Sequence, residues 1–150
     1  MFIEADELKA VYTRKLTEHD LADLRGIETT AHLFQAWVDK AHEVRLTVAG
    51  DRLLAAEVHA GSAKAHTDWR SDYRSLTYRA TETPIDVAEA VRRLMACLQL
   101  RFAALDFIVS PDGEWTFLEA NPCGQWDWIQ AATGLPIAEA IADELTGVTA

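Results

Sequence analysis

The stretch ALDFIVSPDGEWTFLEAN, residues 104–121, predicts a β-hairpin from which the fold can be built outward. Two apolar runs flank the turn sequence SPDGE, whose Pro, Asp and Gly favour a tight connection between antiparallel strands. The second run ends in Glu119 and Asn121, and such polar residues are uncommon on a buried strand. The hairpin is therefore a candidate functional site as well as a candidate sheet centre.

An even number of loop residues at this turn sets the predicted strand register. The predicted pairs are Ile108 with Phe117, Asp106 with Glu119, and Ala104 with Asn121. Because side chains alternate faces along a strand, Asp106, Glu119 and Asn121 then project from one face. Two carboxylates directly opposite each other repel by about 0.2–1 kcal/mol relative to neutral residues, so we interpret the pair as part of a cation site.

The donor atoms of this group indicate which cation would bind. Three oxygen donors without a neighbouring histidine or thiolate suit Mg²⁺ or Mn²⁺, and Mg²⁺ held by few protein ligands commonly shares its coordination with phosphates. The pattern therefore points to a nucleotide. A second interpretation stays open, in which Asp106 and Glu119 lie at solvated strand ends and Asn121-Pro122 begins a turn.

The rest of the chain predicts an α+β fold, in which an antiparallel β-sheet of hairpins is packed with helices on one face. The predicted elements are a helix from a capping box at Thr17, a strand at 34–40, a hairpin of 43–50 with 52–60, a strand at 75–80, a helix at about 86–100 and a helix at 136–145. The polar segment 61–74 is predicted as a long loop of functional interest.

Composition limits the class of protein. With 150 residues, 49% hydrophobic and 25% charged, residues 1–150 are expected to form a single globular domain. The net charge of −10, with 14 basic residues and no basic run, argues against a nucleic-acid partner. No apolar run is long enough to span a membrane. Cys97 and Cys123 lack CxxC spacing and no basic, apolar leader is visible, so a reducing cytoplasm is expected.

The hairpin and its continuation GQWDWIQAATGLPIAEAIADEL, residues 124–145, resemble the metal-binding end of ATP-grasp ligases, whose motif is an Asp on one strand and Glu-x-Asn on the next. The tail is similar to that of peptide maturases of the microviridin or graspetide macrocyclase type, which in turn resemble ligases that add glutamate to ribosomal proteins. The resemblance runs from about 11 to 145. It implies the C-terminal lobe of the fold, without the N-terminal domain and without the lobe that carries the glycine-rich phosphate loop, because the seven glycines here are scattered.

The resemblance also implies roles for individual residues. Asp106, Glu119 and Asn121 would bind two Mg²⁺ ions that bridge the ATP phosphates. The hinge residues implied to bind nucleotide are Gln35, Trp37 and Val38 at the adenine edge, and Asp39 or Lys40 at the ribose. For Trp37 and Val38, plain core packing is the alternative.

Two arginines are implied to act on the phosphates. Arg45 matches the arginine of a D/E-x-R strand, although an arginine in an apolar strand could also extend to solvent. Arg70, in Asp68-Trp69-Arg70, matches an element of the peptide maturases, with a solvated loop as the alternative and Arg74 as an equal competitor. Cys123 has no adjacent base and is interpreted as a packing residue.

The resulting hypothesis is an ATP- and Mg²⁺-dependent carboxylate ligase that forms an ester or an amide through an acyl phosphate. The expected partners are ATP and a precursor peptide with acidic and hydroxyl or amine side chains, and a homodimer stays open. As the C-terminal half of an active site, the chain alone is expected to bind ATP weakly and to be inactive. The alternatives are a non-catalytic binding module that keeps the lobe fold and, less favoured, a metal-dependent hydrolase that uses the same acids.

Overall fold

The computed structural model describes residues 12–29 and 31–147, together with the backbone of 2–4 and 7–9. Its strands are β1 (Phe2–Glu4), β2 (Glu7–Lys9), β3 (His42–Ala49), β4 (Arg52–Ala60), β5 (Leu76–Thr81), β6 (Phe102–Val109) and β7 (Trp115–Asn121). Its helices are α1 (Glu18–Ala22), α2 (Ala63–Thr67), α3 (Ile85–Leu98), α4 (Asp127–Thr133) and α5 (Ile137–Thr146). Short 3₁₀ turns lie at Ile27–Thr29, Trp69–Ser71 and Tyr73–Ser75.

Five antiparallel strands form the main sheet, in the order β5-β4-β3-β6-β7, while β1 and β2 pair with each other. The predicted hairpin at Gly50-Asp51 is confirmed, because Ala49 pairs with Arg52 and Gly50 adopts the positive φ of 60° that this turn uses. The central strand β3 is buried over seven successive residues. Both faces of the sheet are therefore covered at β3.

The α+β class with antiparallel hairpins is confirmed, but helices pack on both faces rather than on one. On one face Val91 and Met95 of α3 pack against Leu46 and Leu105 of the sheet. On the other face the helices α4 and α5 contribute a cluster around Ala56 of β4. The prediction failed on this point because residues buried on both faces of a strand hide the period-two pattern that would reveal a second layer.

Several segments differ from the expected elements. The predicted strand at 34–40 is wrong: residues 31–41 form no helix or strand, and Ala41 enters the sheet by donating its N–H to the Val109 carbonyl. The predicted loop at 61–74 is largely helical, with α2 and two 3₁₀ turns. The helix α4 was missed, since its seven residues are too few to display a periodic apolar stripe.

The register of the β6–β7 hairpin is correct at the site and wrong near the turn. Asp106 pairs with Glu119 as predicted, and so does Ala104 with Asn121, but Ile108 pairs with Thr116. The turn contains a G1-type bulge, in which the N–H of Gly113 donates to the Ser110 carbonyl and Gly113 has a φ of 86°.

A second irregularity restores the predicted pairs. The register shifts between Asp106 and Phe107, so Leu118 has no partner on β6. The bulged turn moves the pairing by one residue, and the unpaired Leu118 moves it back before Glu119. The two acids thus share a face, although the reason differs from the even loop that was expected.

Candidate active site

A cleft of about 1130 Å³ lies where β6 and β7 meet the 3₁₀ turn at Trp69–Ser71 and the segments around 12–16 and 31–38. The predicted site residues that line it are Gln35, Trp37, Val38, Lys40, Arg70, Asp106 and Glu119. Arg45, Asp39 and Asn121 are not part of its lining. The cleft thus brings the predicted hinge and the two acids to one space, although they are far apart in sequence.

Asp106 is the buried centre of the site, with 4% of the residue exposed. Its Oδ1 is 3.1 Å from Arg45 Nε, although the geometry is not that of a hydrogen bond, and its Oδ2 has no hydrogen-bond partner. Burial raises the pKa of Asp106 to about 7; Arg45 opposes the rise and Glu119 adds to it. The solvated-end interpretation is therefore wrong for Asp106, whereas the Glu119 side chain is 55% exposed.

Arg45 is held between aromatic rings. Its guanidinium carbon lies 5.7 Å from the ring centre of Trp69 and 5.8 Å from that of Trp128, and the two rings pack 5.2 Å apart. Contacts of this kind contribute about 0.5–2 kcal/mol when they are shielded from water. Arg45 is buried, so the alternative in which it extends to solvent is wrong.

Arg70 approaches the same acids from a partly open position. Its Nη2 lies 3.6 Å from Glu119 Oε1 and 4.0 Å from Asp106 Oδ2, and its side chain is 43% exposed. The solvated-loop alternative is wrong for this segment, because Trp69 is buried. Arg74, the competing candidate, is exposed and does not line the cleft.

Asp68 organises this wall of the cleft and was not predicted as a functional residue. Its carboxylate is buried, accepts the N–H of Arg70 at 3.1 Å through Oδ1 and accepts the N–H of Thr13 at 2.9 Å through Oδ2. Asp68 thereby caps the 3₁₀ turn and joins the 12–16 segment to it. The sequence signal was present, since an aspartate ahead of a short turn is a preferred cap.

The predicted hinge segment contains a buried ion pair that the sequence did not reveal. Lys40 Nζ pairs with Glu43 Oε1, and both side chains are nearly inaccessible. Burial raises the pKa of Glu43, and the contact with Lys40 counteracts the rise. Glu43 shares a strand face with Arg45, so period-two spacing could have identified it.

Trp37 and Asp39 are also in contact, because Trp37 Nε1 donates to Asp39 Oδ1 at 2.8 Å. Lys15 Nζ lies 4.9 Å from the ring centre of Trp37, on the cleft side. Trp37 is itself exposed, so core packing does not explain it. The aromatic ring is available to a ligand.

Asn121 follows Glu119 on the same face, but its side-chain oxygen is engaged locally. The Oδ1 atom accepts the N–H of Cys123 at 2.9 Å, within a tight turn that Gly124 closes by donating to the Asn121 carbonyl. A side chain at Gly124 would place its Cβ 2.4 Å from the Cβ of Ala104, so this position needs glycine. Cys123 is exposed, which corrects its interpretation as a packing residue.

Residues 1–145 match a family model that describes an ATP-grasp domain, the third family of its clade. The chain therefore belongs to that ATP-grasp family. No curated protein gives a significant match. Among the helices of the described residues, none is both long and apolar enough to cross a membrane.

Solved structures of peptide-maturing ligases are similar to the chain. A RiPP-associated ATP-grasp ligase of Chryseobacterium gregarium, in complex with ADP and a leader and core peptide, gives a TM-score of 0.89 at 29% identity, over 99% of this chain and 46% of that one. The macrocyclase MdnC of Microcystis aeruginosa MRC, bound with precursor peptide MdnA, gives 0.82 at 29% identity over the same shares.

A third similar structure, the macrocyclase MdnB of Microcystis aeruginosa MRC, gives a TM-score of 0.61 at 32% identity, over 74% of this chain and 32% of that one. The present chain thus spans less than half the length of the structures it resembles. The similarity to the first two covers nearly the whole of this chain, so it includes the β6–β7 hairpin and the cleft.

Proposed function

We propose that the chain supplies the C-terminal wall of the active site of an ATP- and Mg²⁺-dependent carboxylate ligase that acts on a ribosomally made peptide. The observation that carries the proposal is the buried Asp106, which has an unsatisfied oxygen, pairs with Glu119 across the β6–β7 ladder and faces a cleft. A buried carboxylate oxygen without a partner is costly unless a ligand completes it.

The residues at this position fit a hard divalent ion. Asp106 and Glu119 present carboxylate oxygens on one face, and the amide of Asn121 follows on that face. Within the described residues no cluster of three or more His, Cys, Asp or Glu side chains forms, so the set consists of two acids and an amide. Oxygen donors with few protein ligands suit Mg²⁺ that is shared with phosphates.

The arginines would neutralise charge beside the ion. Arg45 is fixed by Trp69 and Trp128, so it offers a preorganised cation that need not reorient during reaction. Arg70 is the accessible cation at the cleft. Phosphoryl transfer depends mainly on positioning and charge neutralisation, which is the chemistry that these residues can perform.

Gln35, Trp37 and Val38 would bind the adenine edge through the irregular backbone of 31–41 and the exposed Trp37 ring. Asp39 and Lys40 are the predicted ribose contacts. Asp39 accepts a hydrogen bond from Trp37, and Lys40 is paired with Glu43, so Asp39 is the more accessible of the two.

Bound MgATP would supply the phosphoryl group. A peptide carboxylate takes the γ-phosphoryl group to give an acyl phosphate and ADP. A hydroxyl or amine of the peptide then attacks the acyl carbon, forming an ester or an amide and releasing phosphate and a proton. The arginines would hold the carboxylate and the transferred phosphoryl group, and the cleft would limit access of water.

The metal and nucleotide parts of this proposal can be tested on the full 150-residue chain by calorimetry with ATP, with and without Mg²⁺. One wall of a site forms few of the phosphate contacts, so we expect a Kd in the millimolar range, dependent on Mg²⁺. Asp106→Asn should abolish the Mg²⁺ dependence. Asp112→Asn, in the exposed turn of the same hairpin, removes the same charge and should leave binding unchanged.

A non-catalytic module is the competing function, and the length of the chain relative to similar structures favours considering it. The calorimetric experiment separates the two. ATP binding that is absent, or that ignores both Mg²⁺ and Asp106→Asn, would support the module and contradict the ligase.

A further inference from the structure

Arg70 lies among three carboxylates without donating a side-chain hydrogen bond to any of them among the described residues. Its Nη2 is 3.6 Å from Glu119 Oε1 and 4.0 Å from Asp106 Oδ2, and its Nη1 is 3.8 Å from Asp68 Oδ1. A committed guanidinium–carboxylate pair forms hydrogen bonds of about 2.7–2.9 Å. The Arg70 guanidinium therefore neutralises a group of acids without being fixed to one of them.

Only the side chain of Arg70 is free to move. Its backbone N–H donates to Asp68 Oδ1 at 3.1 Å, within the cap of the 3₁₀ turn. Its side chain is 43% exposed and borders the cleft, while the Arg45 guanidinium is buried between two aromatic rings. Of the two cations near Asp106, Arg70 is the one that can leave.

We propose that Arg70 is an internal counter-cation that occupies the space between Asp106 and Glu119 and withdraws from it when a divalent ion binds there. The inference rests on the proposed function, because that function assigns the divalent ion to these acids. A guanidinium and a divalent ion a few ångström apart repel strongly at the edge of a protein, so the two cannot share this space at low cost.

The withdrawal has a consequence for the order of binding. The guanidinium that leaves the acids remains on its fixed backbone and enters the cleft, where it can pair with an anion. Before the ion binds, Glu119 and Asp106 neutralise this cation. Binding of the ion therefore creates the free cation that attracts an anionic substrate group, so that metal precedes carboxylate.

Removal of the Arg70 charge should tighten binding of a divalent ion, whereas an arginine that assists metal binding would have the opposite effect. We would titrate Mn²⁺ alone into the full chain and follow free Mn²⁺ by electron paramagnetic resonance. Arg70→Gln should bind Mn²⁺ about three- to tenfold more tightly than the wild type at low salt, and the gain should shrink as salt rises. Arg74→Gln removes an equal charge away from the cleft and should change affinity less than about twofold.

The outcomes separate this inference from the function on which it rests. If Asp106→Asn loses Mn²⁺ affinity while Arg70→Gln is unchanged or weaker, the metal site stands and the counter-cation is refuted. If neither the wild type nor Arg70→Gln binds Mn²⁺, both the metal site and the counter-cation are refuted.

A second measurement uses the wild type and does not depend on the folding of a variant. Saturating Mg²⁺ should shift the ¹⁵N–¹H signal of Arg70 Nε and lower its order parameter on the fast timescale, while the Arg45 signal, held by Trp69 and Trp128, stays in place. An Arg70 signal that does not respond while the carboxyl signals of Asp106 and Glu119 do would contradict the proposal.

Discussion

Two arginines approach Asp106, and their surroundings differ in burial, in packing and in freedom. Arg45 is part of the core, enclosed by Trp69 and Trp128, while Arg70 stands at the cleft with its guanidinium uncommitted. A pair of like charges beside one acid can thus serve different purposes. One side of the site is fixed in advance, and the other can respond to a ligand.

The largest effect expected from this contrast comes from removing the packing on the Arg45 side. Trp69→Ala should lower the free energy of unfolding by about 3–5 kcal/mol, because the buried ring packs against Trp128 and shields Arg45. Tyr73→Ala is the matched control: its ring touches Trp69 edge-on but is 58% exposed, so about 1 kcal/mol or less is expected. Urea unfolding measures both.

Equal losses for the two variants would mean that Trp69 is not the support of Arg45. The same result would also remove the basis for treating the Arg45 side as rigid.

The second test replaces each arginine by a long neutral side chain. Arg45→Met leaves the buried Asp106 without its nearest cation and should cost roughly 2 kcal/mol at pH 8, since breaking a buried pair is expensive although this acid can protonate. Arg70→Met should stay within about 0.5 kcal/mol of the wild type, because its contacts are long and partly solvated. Chemical unfolding at pH 8 compares them.

The order of these two values is the decisive observation. If Arg70→Met were the costlier change, Arg70 would be a structural residue and the division between a fixed and a responsive side would fail.

The same division marks what could be predicted from the sequence. The pairing of Asp106 with Glu119 followed from local alternation and a turn signal, which act over neighbouring residues. The contact between Arg45 and Trp128 joins residues that are distant in sequence, and only the folded sheet brings α4 over β3. The unpaired Leu118 was equally hidden, since a bulge leaves no mark in an apolar strand.

The hinge segment shows a third reason for failure. Residues 34–40 are rich in apolar and aromatic types that favour strands, yet no neighbouring strand pairs with them in the described structure. Propensity for a strand is expressed only where the sheet has a free edge within reach. The Lys40–Glu43 pair, close in sequence, was still missed because its importance depends on burial.

A third prediction concerns pH. The pKa of Asp106 is raised from 3.8 to about 7, so between those values the folded state holds a proton that the unfolded state has lost. The wild type should therefore lose stability as pH rises from about 4 to 7, by at most about 1.4 kcal/mol per pH unit from this group. Asp106→Asn lacks the group and should show a smaller loss over the same window, measured without divalent ions.

Asp112→Asn controls for the loss of one carboxylate, because Asp112 is exposed in the hairpin turn. If the wild type and Asp106→Asn had parallel pH profiles, Asp106 would be ionised normally, and its burial would have to be relieved by contacts other than those seen here.

The smallest expected effect lies at the hinge, on the responsive side. Lys15 Nζ is 4.9 Å from the centre of the Trp37 ring, and an exposed cation–π contact contributes about 0.5–1 kcal/mol. Lys15→Gln should therefore change stability by no more than about 1 kcal/mol. Lys64→Gln, which removes an exposed lysine 3.5 Å from Asp72, serves as the charge-matched control. Trp37 forms no part of the buried core, so its fluorescence should report the Lys15→Gln change even where unfolding does not. A loss of several kcal/mol would show that the 12–16 segment is as firmly packed as the Arg45 side, and the two halves of the site would no longer differ in kind.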